Sequence, residues 1–222
     1  MALSDEFKYA VSKLGKSSGR VPVSAADVEG YRSRVPNSLI DFWIETGWGN
    51  YAHGLLKVAD PALLEPVLPL LFPAGDQDFK AADCVIYAFT AFGRLFIWHR
   101  QYGGIQINLL RYELNAAGLL RPDNKASPEK AVAVPLGIFK PTLHDIADVT
   151  GAKLFEPACA ALGRPALDEC FGFFPALPLG GVASVEKLRR VKAREHFAIL
   201  AQLRPLQLVD YSTLPAKVLR EL

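Results

Sequence analysis

The sequence is poor in cysteine and in net charge, and each shortage excludes a class of protein. The cysteine count is 3, and Cys84, Cys159 and Cys170 form no C-x-x-C pair. A disulfide framework is therefore excluded, and reduced thiols in the cytoplasm are expected. The formal net charge of +2 excludes a strongly basic nucleic-acid binder and a strongly acidic DNA mimic at the level of the whole chain.

The sequence also lacks a signal for secretion and a long apolar run. The N-terminus, MALSDEFKYAV, has acidic residues near its start and no basic region before an apolar stretch, so no signal peptide is predicted. The longest apolar segment, residues 62–72, is interrupted by Glu65, Pro66 and Pro69, whereas a membrane-spanning helix needs about 20 apolar residues. We therefore expect a cytoplasmic protein that does not bind a membrane.

What is present is the composition of a folded protein. Of the 222 residues, 50% are hydrophobic and 22% are charged, which favours a sizeable core and excludes a disordered chain. Ser4 is suited to cap a helix over residues 5–14, and Ser24 begins a second helix. A third helix ends at Gly47, after which residues 47–51 are expected to form a tight turn rich in aromatic side chains.

The middle of the chain predicts β-structure. Segments 84–92, 95–98 and 105–110 are rich in β-branched and aromatic residues and are separated by glycine-containing turns, which is typical of two successive hairpins. Residues 132–136 predict a further edge strand, and residues 185–203 an amphipathic helix. The expected class is α+β, with an antiparallel sheet flanked by helices and a smaller, mostly helical C-terminal subdomain.

No spacing in the sequence is typical of a catalytic or metal centre. The four histidines have no H-E-x-x-H or H-x₃-H arrangement, and no G-x-S-x-G motif is present. We therefore predict no catalytic residue, no metal and no cofactor. His99 is expected at the surface, at the end of a strand, and His196 is expected to be packed on the C-terminal helix. The other two histidines are His53 and His144.

Two charged clusters remain as candidate surfaces. Asp76, Asp78 and Asp83 lie between a predicted helix and the sheet, where they form either a solvated loop or a loop that binds a protein partner. A basic cluster near the C-terminus is most simply the solvent-facing side of an amphipathic helix. Its members are Lys187, Arg189, Arg190, Lys192 and Arg194. Because no aromatic side chains lie among these five residues, direct binding to nucleic acid is not expected.

Two runs of residues resemble known families. The first comprises VPNSLIDFW at 35–43, TGWGNY at 46–51 and GL at 54–55, and it resembles the opening of the GAD-related domain. The second comprises FGFFPALPLGG at 171–181 and the segment 185–203. It is similar to the C-terminal domain of type VI secretion DNase immunity proteins. The two domains commonly occur in this order.

The resemblance implies a GAD-related domain over residues 1–140 and an immunity-protein domain over residues 141–222. It also implies the function of an immunity protein, which binds and neutralises a cognate toxin delivered between bacteria. In the best-known members with this domain order the toxin is a DNase. The family has no established catalytic residues to carry over.

The motif residues are interpreted in two ways. Most of them are expected to be structural, because large aromatics fill cores and glycines permit tight geometry. These residues are Trp43, Gly47, Trp48, Gly49, Gly180, Gly181 and His196. The predicted partner contacts are Asn50, Tyr51, Asp76, Asp78 and Asp83.

Two other functions stay open at this point. One is a non-catalytic regulatory module that binds a protein on the same scaffold, and the other is a small hydrolase with a dispersed site. The identity of the toxin, the surface that contacts it and the oligomeric state also stay open.

Overall fold

The computed structural model describes residues 3–222. Within this range it contains eight α-helices: α1 (Asp5–Leu14), α2 (Asn37–Thr46), α3 (Leu68–Leu71), α4 (Ala117–Leu120), α5 (Pro128–Gly137), α6 (Pro141–His144), α7 (Phe155–Leu162) and α8 (Ala193–Leu203). The same range contains eleven strands: β1 (Ser18–Val21), β2 (Trp48–Tyr51), β3 (Leu56–Val58), β4 (Cys84–Thr90), β5 (Arg94–His99), β6 (Gly103–Asn108), β7 (Glu113–Asn115), β8 (Glu169–Phe173), β9 (Leu188–Lys192), β10 (Gln207–Asp210) and β11 (Lys217–Glu221).

Nine of these strands form one sheet in the order β1-β2-β3-β4-β5-β6-β7-β10-β11. Neighbouring strands are antiparallel except for β7 and β10, which are parallel. Strands β8 and β9 form a separate antiparallel pair. The two predicted hairpins, β4–β5 and β5–β6, are confirmed, and so is the α+β class with helices flanking an antiparallel sheet.

The sheet buries apolar side chains on both of its faces. On β5, Leu95 and Ile97 belong to the core that contains α3 and α8, while Phe96 and Trp98 belong to the core that contains α1, α2 and α5. This alternation follows from the two-residue period of a strand. Burying a side chain of this size stabilises the fold by roughly 1.5–3 kcal/mol, so strands with two apolar faces fix the centre of the molecule.

Two of the predicted helices are confirmed at their ends. The Ser4 hydroxyl accepts a hydrogen bond from the Phe7 N–H at 3.3 Å at the start of α1. Gly47 ends α2 with a φ of 73°, in the left-handed region that favours glycine. A Cβ at Gly47 would also lie 2.5 Å from the Val21 carbonyl oxygen, so the glycine allows β1 to run close to the end of α2.

The predicted edge strand at residues 132–136 is wrong, because these residues lie within α5. The Ser127 hydroxyl caps the helix by accepting a hydrogen bond from the Lys130 N–H at 3.4 Å, and Pro128 occupies the first turn, where its missing N–H costs nothing. The helix then buries Val132 and Leu136, one turn apart, against the sheet. Similarly, only a short 3₁₀ turn at 29–31 lies where a second helix was predicted.

The predicted helix over residues 185–203 is half wrong, since its first part is strand β9 and α8 begins only at Ala193. The spacing of the apolar residues allows either structure, and pairing with β8 decides it. Lys192 lies opposite Glu169 in the ladder, and its ammonium lies 2.6 Å from the Asp168 carboxylate. The basic cluster is therefore mostly a strand edge rather than a helix face.

The C-terminal part is less helical than predicted. Besides α6, α7 and α8 it contributes the β8–β9 pair and strands β10 and β11. Strand β10 pairs with β7, so the nine-stranded sheet crosses the predicted domain boundary at residue 140. Within residues 3–222, no helix combines the length and the apolar character needed to cross a membrane.

Candidate partner-binding surfaces

The segment Gly47–Tyr51, predicted as a turn, is the end of α2 followed by strand β2. Trp43 and Trp48 are buried in the core. Gly49 faces Ser17 so closely that a Cβ there would lie 2.8 Å from the Ser17 Cβ. These contacts give the motif residues a packing role that explains why small and large side chains alternate there.

Tyr51 is only 2% exposed. It reaches solvent at the floor of a hollow of about 470 Å³ whose walls include Lys16 and Arg20. The Arg20 guanidinium is held in place by the Thr46 carbonyl oxygen at 2.7 Å. A partner could therefore touch Tyr51 only by inserting a side chain into this hollow.

The Asn50 side chain accepts a hydrogen bond from Lys57, a buried lysine that no sequence motif indicates. The Lys57 ammonium donates hydrogen bonds to Asn50 Oδ1 at 2.7 Å, to the Pro165 carbonyl at 3.1 Å and to the Ala166 carbonyl at 2.9 Å. Lys57 is 0% exposed, and burial lowers its pKa to about 8. Its three hydrogen bonds connect β3 to the segment that precedes β8.

Arg220, on the C-terminal strand β11, pairs with two of the three aspartates of the acidic cluster. Arg220 lies 2.7 Å from an Asp76 carboxylate oxygen and 2.8 Å from an Asp78 oxygen. Asp76 also accepts hydrogen bonds from the N–H groups of Asp78 and Phe79, both at 2.9 Å. Burial alone would raise the pKa of Asp76, but the hydrogen bonds from Arg220 and the backbone outweigh it and hold that pKa below its usual range.

Asp83 differs from the other two aspartates. It precedes β4 and is half-buried, and its carboxylate makes no ion pair within residues 3–222. It lines a small hollow together with Arg34 and Arg100, and its carbonyl accepts a hydrogen bond from the Arg100 N–H at 2.9 Å. Of the predicted acidic contacts, Asp83 is the one with a carboxylate left available to a partner.

The prediction that His99 is a surface residue is wrong, because His99 is 1% exposed. The chain turns back over it, and His99 Nδ1 accepts hydrogen bonds from the N–H groups of Gln101 and Tyr102 at 3.1 and 3.2 Å. The Tyr102 ring stacks on the imidazole with ring centroids 4.6 Å apart. Burial lowers the pKa of His99, so the ring is neutral at physiological pH.

His196 packs on α8 as predicted and is 7% exposed. It lies against Gly172 of β8, where an added Cβ would come 2.6 Å from the His196 Cε1. Burial lowers the pKa of His196 to about 4. The glycine pair is also structural in its geometry: Gly180 has a φ of 84°, and a Cβ on Gly181 would lie 2.0 Å from the Pro175 carbonyl oxygen.

The part of the chain that the structure describes contains no group of three or more His, Cys, Asp and Glu side chains able to hold a metal ion. Cys84, Cys159 and Cys170 are all buried. Burial raises the pKa of the Cys84 thiol to about 12, which makes it a small apolar side chain rather than a nucleophile.

Two protein-family models match two separate parts of the chain. Residues 5–111 match the model of the GAD-like domain. Residues 138–204 match the model of the type VI secretion (T6SS) immunity protein Tdi1, C-terminal. Residues 5–111 are therefore similar to the GAD-like domain, and residues 138–204 are similar to the Tdi1-type immunity domain. The resemblance predicted from the two sequence motifs, including the order of the domains, is confirmed.

A solved structure shows the same fold. The crystal structure of Atu4351 from Agrobacterium tumefaciens superimposes with a TM-score of 0.87 over 97% of each chain, at 23% sequence identity. The search of curated proteins found no match. The GAD-like match contains β1–β6 and the Tdi1-type match contains α6–α8 with the β8–β9 pair, while β7, α4, α5 and the β10–β11 hairpin lie outside both.

Proposed function

We propose that this chain neutralises a cognate antibacterial toxin, a type VI secretion effector, by binding it in the cytoplasm without catalysis. The observation that carries the proposal is the match of residues 138–204 to the Tdi1 immunity domain, C-terminal to the GAD-like match at residues 5–111. The match supports the general assignment as a type VI immunity protein. The individual toxin, and the expectation that it is a DNase, belong to the proposal.

Inhibition by binding places physical demands on the chain. A tight complex of this kind buries about 1,600 Å² in total and depends on a few well-packed anchors. The two-faced core gives the surface a rigid backing, which limits the entropy lost on binding. Arg220 pairs with both Asp76 and Asp78 and offsets one of their two negative charges. Acidic mimicry of DNA by these two residues is therefore weakened, and Asp83, unpaired within residues 3–222, is the remaining acidic candidate.

The proposal predicts a toxin gene beside the gene for this chain, and co-expression with that toxin is the test. We expect the toxin alone to stop growth of a heterologous host, and this chain to restore it. A catalytically inactive form of the toxin should co-purify with the chain at a fixed stoichiometry. Failure of both growth rescue and co-purification would overturn the proposal.

The DNase assignment is tested separately. Plasmid DNA from cells that express the toxin alone should be degraded, and plasmid from cells that also express this chain should stay intact. If growth is rescued while DNA is never degraded, the immunity function stands and the DNase assignment is wrong.

A further inference from the structure

One half of a sheet face is left open and carries only polar side chains. Helices α1, α2 and α5 pack against this face over strands β1–β5, and α5 also covers the start of β6 at Gly104. Beyond them, β6 and β7 present alternate residues to a hollow of about 270 Å³. The side chains that line it are Arg94, Gln106, Asn108, Glu113, Asn115 and Tyr211.

Strand register places these residues side by side. Arg94 lies opposite Asn108, and Asn108 lies opposite Glu113, so the three form a row across β5, β6 and β7. Gln106 and Asn115 face each other in the next row. Because residues directly opposite on antiparallel strands are close neighbours on the same face, the hollow is a built array rather than a gap between loops.

Arg94 is the unusual member of this array. Its side chain is half-buried, and within residues 3–222 its guanidinium makes no salt bridge and no hydrogen bond, although Glu113 and Tyr211 are near enough to affect it. Glu113 is instead held by Tyr211, with the phenol oxygen 2.5 Å from one carboxylate oxygen, and by Arg111 at 3.0 Å from the other. The guanidinium nitrogens reach solvent, so all five donors are open to an acceptor from outside the chain.

The surroundings of the hollow are basic. A neighbouring hollow of about 360 Å³ shares Gln106 and Asn115 with it and is lined by Arg121, Lys125 and Lys130. Arg121 is paired with Asp210 at 3.1 Å, and the Lys125 ammonium contacts the Gln101 carbonyl. The two hollows together are lined by four basic side chains and one acidic one, an excess of three positive charges.

We propose that this open half of the sheet, centred on Arg94, binds a carboxylate-bearing segment of the cognate toxin. A carboxylate fits because a guanidinium recognises it with two parallel hydrogen bonds. The Gln106 side chain makes no hydrogen bond within residues 3–222, so its amide is available to the same ligand. The inference rests on the proposed function, since it names the surface by which the toxin is held.

A protein carboxylate is favoured here over a nucleic-acid backbone. Binding DNA takes a row of phosphate contacts, commonly about 6–10. The hollow is lined by one cation, Arg94, and one anion, Glu113, so it offers a single charged contact rather than a row of them. The hollow has a volume of about 270 Å³, which fits one or two acidic side chains of a folded partner.

Titration calorimetry with a catalytically inactive form of the toxin encoded beside this gene tests the inference. Arg94→Gln is expected to raise the dissociation constant by at least about tenfold, because it removes a charge that the partner's carboxylate needs. Gln106→Ala should weaken binding by a smaller factor, and Lys130→Gln should mainly reduce the association rate and its salt dependence. The thermal unfolding midpoints of these variants should equal that of the unaltered chain.

Arg100→Gln is the matched control. It removes the same charge at the other end of β5, where Arg100 is exposed and lies near Asp83, and it should leave the affinity unchanged. If Arg100→Gln or Asp83→Asn weakens binding while Arg94→Gln and Gln106→Ala do not, the toxin binds at Asp83 and the inference is wrong, although the immunity function stands.

Two other results are decisive. If the unaltered chain binds a short DNA duplex at physiological salt and Arg94→Gln abolishes that binding, the occupant is nucleic acid and the inference is overturned. If the unaltered chain neither binds the inactive toxin nor rescues growth, the proposed function itself has failed.

Discussion

Two positively charged residues of the same sheet, Lys57 and Arg94, differ in whether the chain supplies acceptors for their donors. Lys57 on β3 is fully buried, and three oxygen acceptors from within the chain surround its ammonium. Arg94 on β5 is half-buried and has no acceptor of its own within residues 3–222. A buried charge is retained in a fold only when something compensates its desolvation. Lys57 is therefore satisfied within this molecule, whereas the Arg94 guanidinium faces solvent and is open to the toxin carboxylate that we propose.

Lys57→Met should have the largest effect on stability. It leaves Asn50 Oδ1 and two carbonyl oxygens without a donor in a closed site, and we expect a loss of about 3 kcal/mol in the free energy of unfolding, measured by urea denaturation. Lys80→Met, at an exposed position, is the control and should change stability little. A Lys57→Met variant as stable as the control would mean that Lys57 does not stabilise the fold, which would contradict the comparison with Arg94.

Arg220→Gln should come next, because Arg220 is a second cation that the chain satisfies internally. The substitution leaves the Asp76 carboxylate, whose side chain is 5% exposed, without its charged partner, at a cost of about 2 kcal/mol. Arg32→Gln, which breaks an exposed pair with Glu29, should cost less than about 0.5 kcal/mol. Equal losses in the two variants would mean that Arg220 is only a surface residue.

His196 is a buried base of a third kind, because it stays neutral in the folded chain at physiological pH. Its pKa of about 4 in the folded chain lies below the ordinary value of 6.5, so the unfolded chain binds more protons between these two values. Stability is therefore present in full above pH 6.5 and is lost as the pH falls toward 4. The loss from His196 should be on the order of 1 kcal/mol between pH 6.5 and 5. Burial also lowers the pKa of His144 to about 4, so His196→Gln should reduce the slope of the unfolding profile over this interval without removing it. An unchanged profile in that variant would show that His196 is not the group responsible.

Arg94→Met should have the smallest effect on stability, within about 0.5 kcal/mol of the unaltered chain. No acceptor inside the chain is lost, and the desolvation of an unpaired charge is relieved. Because Lys57→Met makes the same replacement two strands away, the two urea-denaturation curves compare the sites directly. A loss at Arg94 as large as that at Lys57 would mean that Arg94 also has a structural role.

The parts of this account that were predictable from the sequence are those that local patterns determine. The hairpins β4–β5–β6 follow from runs of β-branched and aromatic residues separated by glycine turns, and α1 follows from its Ser4 cap. Strand β9 was missed because Leu188 and Val191 are spaced as in a helix, and only pairing with β8 distinguishes the two structures.

The features that matter most for the surface depend on contacts between distant residues. Lys57 sits in an alternating strand pattern that would place it toward solvent, yet it meets a carbonyl 108 residues away in the chain. Arg220 meets Asp76 across 144 residues. Arg94 is one of several strand-end arginines, and nothing local indicates that β7 and Tyr211 complete a hollow around it. Local sequence patterns carry no information on such pairings.

Growth rescue by matched chains tests the central claim most directly. Cells that express the neighbouring toxin should grow when they also make the unaltered chain or Arg100→Gln. They should fail to grow when they make Arg94→Gln at the same level of folded protein. If Arg94→Gln protects the cells as well as the unaltered chain does, the open half of the sheet is not the surface that binds the toxin.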